Sequence, residues 1–132
     1  MPRIPCALHI ACGLLILATS PVRPASSEDK AAATVQMTAD KKFLPAKVTI
    51  RAGQTVEWIS EDPGNQHYIS TDPGQVKDRS LVQVPKDAKP FTSPSIDPGK
   101  RFRYRFTVPG TYKYVCPPHE ENNMIGEIVV NP

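Results

Sequence analysis

The strictest constraint on the fold is the alternating segment "KRFRYRF" at residues 100–106. Its aromatic residues Phe102, Tyr104 and Phe106 alternate with arginines, so an extended chain carries one aromatic face and one basic face. This two-residue period predicts a strand with its aromatic face in a core. The arginines are interpreted as the solvated outer face of a sheet rather than as a binding patch.

The segment after this strand predicts a turn and a second strand in the same phase. In "VPGT", Pro109 suits the first corner of a turn, and Gly110 is free to take a positive φ at the second. The return segment "TYKYVC" again alternates, so Tyr112, Tyr114 and Cys116 share one face. The pattern therefore aims the Cys116 thiol at the interior.

The rest of the chain from residue 33 onward shows short apolar segments separated by prolines and glycines. "ATVQMTA" alternates, "KVTI" and "TVEWIS" are joined through Gly53, and "GEIVV" closes the chain. No helical period of any length is present, so we expect an antiparallel β-sandwich or barrel. The polar, proline-rich segment 71–95 is an exception and predicts a short helix or a surface loop. The inward-facing residues expected in the early strands are Val35, Met37, Val48, Ile50, Val56 and Trp58.

The first 25 residues have the layout of a secretory signal peptide: a basic Arg3, the apolar run "CALHIACGLLILATS", then small residues and prolines. Cleavage after Ala18 or near Ala25 fits equally well. Two alternatives are a retained membrane anchor formed by residues 6–20 and facing the periplasm, and a lipoprotein modified at Cys12. We expect residues 1–25 to be the signal and residues 26–132 to be one exported domain, most simply periplasmic and not stably inserted in a membrane.

Removal of this leader changes both the cysteine count and the charge. Of the three cysteines, only Cys116 stays in the exported domain. Exported proteins usually pair their cysteines, so a single thiol needs another explanation. Loss of Arg3 and Arg23 reduces the 16 basic residues to 14 against 13 acidic ones, a net charge of about +1. This balance gives no sign of a nucleic-acid partner.

The explanation for the thiol lies in "YVCPPHEENNMIGEIVV", which holds Cys116, His119 and Met124 within nine residues. The two prolines end the strand after the cysteine, so the chain turns there and can bring the imidazole back to the sulfur. Thiolate, imidazole and thioether donors suit copper, whose electron-transfer sites combine one thiolate, two imidazoles and a weak axial methionine. The second imidazole can come from His67 in "GNQHYIS", because His9 lies in the leader.

These residues resemble those of the cupredoxins, most closely plastocyanin and pseudoazurin. "FLPAKVTIRAGQTVEW" is similar to the family's early strands, "PFTSPSIDPGKRFRYRFTVPGTYKYVCPPH" to the approach to its copper loop, and "MIGEIVV" to its closing strand. The resemblance covers residues 34 to 131. It implies a Greek-key β-sandwich of about seven to eight strands that carries one type 1 copper. The ligands that it implies are His67, Cys116, His119 and Met124.

Two positions depart from the family pattern. Tyr68 stands where the family usually has a small polar residue after the first histidine, and Pro117 stands where it usually has serine or threonine after the cysteine. The side-chain bond that commonly joins these segments is therefore not expected. The prolines also remove two amide donors from the neighbourhood of the sulfur. Such outer contacts orient ligands and tune the metal, so an ordinary reduction potential is not expected.

Other chemistries fit less well. Zinc sites rarely recruit methionine, haem attachment needs a second cysteine before "CPPH", and a binuclear or multicopper centre needs more cysteines or His-x-His pairs. A Cys–His protease dyad lacks an orienting residue.

We therefore expect a monomeric, non-enzymatic electron carrier that exchanges electrons with c-type cytochromes or with a copper or haem oxidase or reductase. The alternatives are a copper-trafficking or storage protein and an accessory subunit of a membrane oxidase. Glu120 and Glu121, beside His119, suggest an acidic electron exit that attracts a basic partner.

Overall fold

The computed structural model describes residues 30–132, and within them the regular secondary structure is β-strand apart from two short 3-10 helices. The leader, the cleavage sites and the domain boundary at residue 26 lie outside these residues. The described part contains no helix with the length and apolar character needed to span a membrane. Its elements are β1 (Ala33–Met37), β2 (Phe43–Leu44), β3 (Lys47–Arg51), β4 (Thr55–Ser60), β5 (Arg101–Arg105), β6 (Gly110–Val115) and β7 (Ile125–Asn131), with 3-10 helices at Arg79–Leu81 and Pro117–Asn122.

These seven strands form two sheets. One has the order β2-β1-β4-β5 and the other β3-β7-β6. The pairs β1–β4 and β3–β7 are parallel, whereas β1–β2, β4–β5 and β6–β7 are antiparallel. The chain crosses between the sheets at the β2–β3, β3–β4 and β5–β6 connections, as expected for a sandwich whose inner faces share one core. The predicted β-sandwich is confirmed, but the expectation of a purely antiparallel arrangement is wrong, because β1–β4 and β3–β7 pair in parallel.

Two connections that the sequence places at glycines join the sheets rather than close hairpins. Gly53 lies between β3 and β4, and Gly110 opens β6, with positive φ angles of 90° and 134°. The turn before β6 is thus confirmed, but β6 pairs with β7 instead of β5. The aromatic faces explain this arrangement. The rings of Phe106 and Tyr112 lie 4.8 Å apart, edge to face, as residues on opposing sheets of one core.

The core is aromatic at its centre. Trp58 is fully buried, and its ring lies 5.5 Å from that of Tyr114 and 5.9 Å from that of Phe102. Val35 and Met37 are fully buried beside it, as their alternation predicts. This packing fixes the inner face of β6, on which the thiol lies.

The arginines of β5 lie on the outer face, as predicted. Arg101 and Arg103 donate to the two carboxylate oxygens of Glu57 at 2.8 and 2.7 Å, so the outer face carries a paired carboxylate as well as cations. Glu57 is 5% exposed. The hydrogen bond from Arg103 outweighs burial and holds the pKa of Glu57 below its ordinary value. This pairing supports the interpretation of the β5 arginines as the outer face of a sheet rather than as a binding patch.

The long segment between β4 and β5 is held against the second sheet by isolated bridges. Ser70 exchanges two backbone hydrogen bonds of 3.0 Å with Val115, the last residue of β6. Further along, Gln83 pairs with Lys113 in the same way. The segment is therefore a surface connection with a short 3-10 helix. Its attachment to β6 brings the residues around position 67 to the end of the sandwich where β6 finishes.

Candidate metal centre

Cys116 lies directly after β6 with its side chain in the core. Tyr112, Tyr114 and Cys116 are 3%, 1% and 0% exposed, which confirms the face predicted from their alternation. Pro117 and Pro118 then open the 3-10 helix Pro117–Asn122. The strand ends here because neither proline can donate a ladder hydrogen bond.

The following helix turns His119 back onto the cysteine. The His119 amide donates to the Cys116 carbonyl at 2.9 Å, and the His119 Nδ1 atom lies 3.3 Å from the Cys116 Sγ atom. Asn123 ends the helix in the left-handed region at φ 54°. The Cys116 amide then donates to the Met124 carbonyl at 3.1 Å, which closes the loop. Met124 is fully buried next to the cysteine, immediately before β7.

His67 reaches the same place from the long connection. It exchanges backbone hydrogen bonds of 3.1 and 2.9 Å with Ile96, and its side chain is fully buried. Its Nδ1 atom lies 3.8 Å from the Cys116 Sγ atom. One donor atom each from His67, Cys116 and His119 therefore lies within 4.8 Å of the others. The structure brings three of the predicted ligands together, and the fourth, Met124, is buried and bonded through its carbonyl to the Cys116 amide.

The spacing of these donors fits one small metal ion. Bonds of about 2.0 Å to nitrogen and 2.3 Å to sulfur separate donors in a trigonal plane by about 3.7 Å. The observed separations of 3.3 and 3.8 Å lie on either side of that value. Two imidazoles and one thiolate, with a buried thioether beside them, form the donor set that copper prefers.

The protonation states favour a site that is neutral until a metal displaces a proton. Burial lowers the pKa values of His67 and His119, so their lone pairs are available at neutral pH. Burial also raises the pKa of the Cys116 thiol to about 11, although the amides of Tyr68 and His119 oppose this rise. Binding of a metal as thiolate therefore releases a proton.

One contact to the sulfur was not foreseen from the sequence. The Tyr68 amide donates to the Cys116 Sγ atom at 3.4 Å. The prolines after the cysteine do remove nearby amides. The sulfur nevertheless accepts a hydrogen bond from an amide in the β4–β5 connection, next to His67. Residue type gives no signal for such a contact, because every residue except proline offers the same N–H group.

A second unforeseen feature is the carboxylate behind His67. The His67 Nε2 atom lies 3.0 Å from Asp62 Oδ2, and Lys41 Nζ lies 3.0 Å from the same oxygen. Burial raises the pKa of Asp62, but hydrogen bonds from the Gly64 amide, Lys41 and Asn65 outweigh it and hold the pKa well below its ordinary value. The available signal was the turn sequence "DPGN", in which an aspartate commonly accepts amides two and three residues later.

The two glutamates beside His119 differ from expectation. Glu120 is 9% exposed, and both of its carboxylate oxygens accept the Lys77 amide at 3.0 Å. Glu121 is exposed and forms an ion pair of 3.0 Å with the Lys77 ammonium. Glu120 is therefore largely withdrawn from the acidic electron exit that the sequence suggested, and attraction of a basic partner stays a prediction. One carboxylate fastens the loop, and the charge of the other is paired with a cation.

Comparison with known proteins agrees with this geometry. Residues 30–131 match the family model described as copper binding proteins of the plastocyanin/azurin family. The plastocyanin of Scenedesmus fuscus is 33% identical over 100 residues, which cover 74% of this chain and 97% of that protein. Amicyanin-alpha of Methylorubrum extorquens is 32% identical over 108 residues, covering 80% of this chain and 78% of that protein.

Solved structures show the same fold. An oxidised amicyanin mutant superposes with a TM-score of 0.58 at 24% identity, over 76% of this chain and 82% of that one. A copper-containing nitrite reductase from Thermus scotoductus superposes with a TM-score of 0.59 at 30% identity, over 76% of this chain but 22% of that one. The chain therefore belongs to the plastocyanin/azurin family of copper-binding proteins, and its fold is that of the cupredoxins.

Proposed function

We propose that this protein is a small blue-copper electron carrier that binds one type 1 copper through His67, Cys116, His119 and Met124. The observation that carries the proposal is the convergence of two imidazole nitrogens and a thiol sulfur within 4.8 Å, beside a fully buried methionine. The family assignment supports the same metal. When bound, copper supplies a one-electron couple between Cu(I) and Cu(II).

The protein contributes a rigid set of donors to this couple. The ligand loop is closed at its ends by the Cys116–Met124 hydrogen bond, and His67 is held by its bridge to Ile96. Fixed donors limit reorganisation when charge changes, because the preorganised site does not have to move. Among the four proposed ligands, His119 is partly exposed and the others are fully buried. Electrons are therefore expected to leave through the His119 ring.

We also propose that residues 1–25 direct export and that residues 26–132 function in the periplasm. The apolar leader supports export, and the unpaired Cys116 is compatible with it, because a thiol that is a metal ligand needs no partner cysteine. The partners would be redox proteins such as c-type cytochromes, or a copper or haem oxidase or reductase. Anchoring by residues 6–20 remains the alternative. N-terminal sequencing of the protein from a periplasmic extract would decide between these arrangements.

The decisive experiment is a visible spectrum of the copper-loaded protein before and after ascorbate. We expect an intense blue band that ascorbate bleaches and an oxidant restores. Cys116→Ser is the matched control, since it removes the thiolate with little change in volume, and it should lose the band. A copper-loaded protein without an intense band would contradict the carrier function and favour copper trafficking or storage.

We expect the protein to have no catalytic activity of its own. The matched nitrite reductase shares this fold over 22% of its length, so the likeness reaches a small part of that enzyme. The test is to mix the ascorbate-reduced protein with excess nitrite. Stable bleaching is expected. Catalytic reoxidation at a rate proportional to nitrite would contradict the assignment.

A further inference from the structure

Asp62 is a buried carboxylate surrounded by hydrogen-bond donors. It is 2% exposed. Its Oδ1 atom accepts from the amides of Gly64 and Asn65 at 2.9 and 3.2 Å and from the Asn65 side chain at 3.2 Å. Its Oδ2 atom accepts from Lys41 Nζ at 3.0 Å and from Asn65 Nδ2 at 3.1 Å. Every one of these groups has a hydrogen to give, so the carboxylate acts purely as an acceptor.

The remaining neighbour of Asp62 is the His67 ring, with its Nε2 atom 3.0 Å from Oδ2. A neutral imidazole carries a hydrogen on one nitrogen and a lone pair on the other. Because Asp62 can only accept, Nε2 must carry the hydrogen. The lone pair then lies on Nδ1, the atom that is 3.8 Å from the Cys116 sulfur. One hydrogen bond thus selects the tautomer that can bind a metal.

We propose that Asp62 is a positioning residue that fixes His67 as the Nε2–H tautomer and, through its negative charge, stabilises Cu(II) relative to Cu(I), while Lys41 weakens this effect. The inference rests on the proposed copper function. A carboxylate bonded to the far nitrogen raises the basicity of a ligating imidazole. The greater electron density on Nδ1 favours the more highly charged ion. The Lys41 ammonium bonds to the same Oδ2 atom as His67 and withdraws electron density from it. Lys41 therefore reduces the effect of the carboxylate on the imidazole.

A purely structural role gives different expectations. The bonds from Asp62 Oδ1 to the Gly64 and Asn65 amides close a local turn, and an asparagine can close the same turn. If Asp62 served only that turn, Asp62→Asn would leave the His67 tautomer and the potential unchanged. If the cluster served only as packing, Asp62→Asn and Lys41→Gln would both loosen the site and shift the reduction potential in the same direction. The proposal predicts opposite directions.

The experiment compares Asp62→Asn, Lys41→Gln and a matched control, Glu61→Gln. Glu61 is the exposed neighbour of Asp62, and the control removes the same charge one residue away from the His67 contact. The first readout is the ¹⁵N spectrum of the His67 ring in metal-free protein. We expect the Nε2–H tautomer in the wild type, in Lys41→Gln and in the control. In Asp62→Asn the Nδ1–H form should appear, because an amide can also donate to Nε2.

The second readout is the affinity for Cu(II) and Cu(I) together with the reduction potential. Asp62→Asn should lower Cu(II) affinity about 10- to 100-fold, with a smaller loss for Cu(I). The potential should rise by about 59 mV for each tenfold difference between the two losses. Lys41→Gln should lower the potential, and Glu61→Gln should leave it unchanged, because Glu61 accepts from the Gln36 side chain rather than from His67.

Three results would overturn the inference: a wild-type His67 that is mainly Nδ1–H, an unchanged or lowered potential in Asp62→Asn, or a shift of the same sign in Lys41→Gln. If Asp62→Asn does not fold, Lys41→Gln and the wild-type tautomer still decide the question. A wild-type protein that binds no copper would refute the proposed function instead, and the metal-free spectrum would still test the tautomer.

Discussion

The buried Glu120 carboxylate offers a direct test of how the ligand loop is held. Both of its oxygens accept the Lys77 amide at 3.0 Å, so the loop beside His119 is bonded to the long connection between β4 and β5. Glu121, the next residue, is bonded to the same lysine through its exposed ammonium. We therefore expect Glu120→Ala to destabilise the domain much more than Glu121→Ala.

The magnitude follows from the two environments. A hydrogen bond to a charged group contributes about 1.5–3 kcal/mol. Lys77 is itself exposed, so water can partly replace the lost carboxylate, and the lower end of this range, about 1.5–2 kcal/mol, applies. The Glu121–Lys77 ion pair has side chains that are 84% and 79% exposed. Such pairs contribute little to the free energy of unfolding, because solvent screens them.

The assay is urea unfolding of the metal-free protein, so that copper affinity does not contribute. Glu120→Ala should lower the free energy of unfolding by about 1.5–2 kcal/mol, which lowers the melting temperature by roughly 6–16 °C for a domain of this size. Glu120→Gln keeps one acceptor oxygen and should fall between the wild type and Glu120→Ala. The slope of the urea transition should not change.

Equal losses in Glu120→Ala and Glu121→Ala would refute the reasoning. That result would mean that the Lys77 amide is hydrated at no cost and that burial of Glu120 contributes nothing to the loop. A large loss in Glu121→Ala alone would instead point to the ammonium of Lys77 as the attachment.

Three further predictions concern the axial ligand, the core and the outer face. Met124→Leu should keep copper but raise the reduction potential, since a weak donor to Cu(II) is lost; voltammetry with an unchanged potential would make Met124 a core residue only. Gly126→Ala should cost about 1–3 kcal/mol in urea unfolding, because its Cβ would overlap the Tyr114 ring; a neutral effect would contradict this packing. Glu57→Gln should cost about 1 kcal/mol at pH 7. The pKa of Glu57 is lowered in the folded state, so its contribution to stability is present above the ordinary value of 4.5 and is lost on acidification below it. The free energies of unfolding of the wild type and Glu57→Gln should therefore converge as the pH falls. A difference that stays constant with pH would refute the pairing.

The sequence by itself determined which face of each strand is buried and which residues could bind copper. Alternation along β6 and into Cys116 assigned Tyr112, Tyr114 and Cys116 to the core, and the structure agrees. These features are readable because side chains of a strand alternate with a period of two, whatever the strand pairs with. The short spacing from Cys116 to Met124 is local in the same sense, since a loop of that length keeps its ends together.

Tertiary structure decided everything that depends on residues far apart in the chain. The sequence marks a turn at Gly110 but does not reveal that β6 pairs with β7 instead of β5. It marks Glu120 as acidic but not as the acceptor of the Lys77 amide, 43 residues away. It also gives no indication that Lys41 and Asp62 lie behind His67. Strand pairing and long-range hydrogen bonds depend on which surfaces pack best across the whole domain. A local sequence pattern does not report which of the possible pairings packs best.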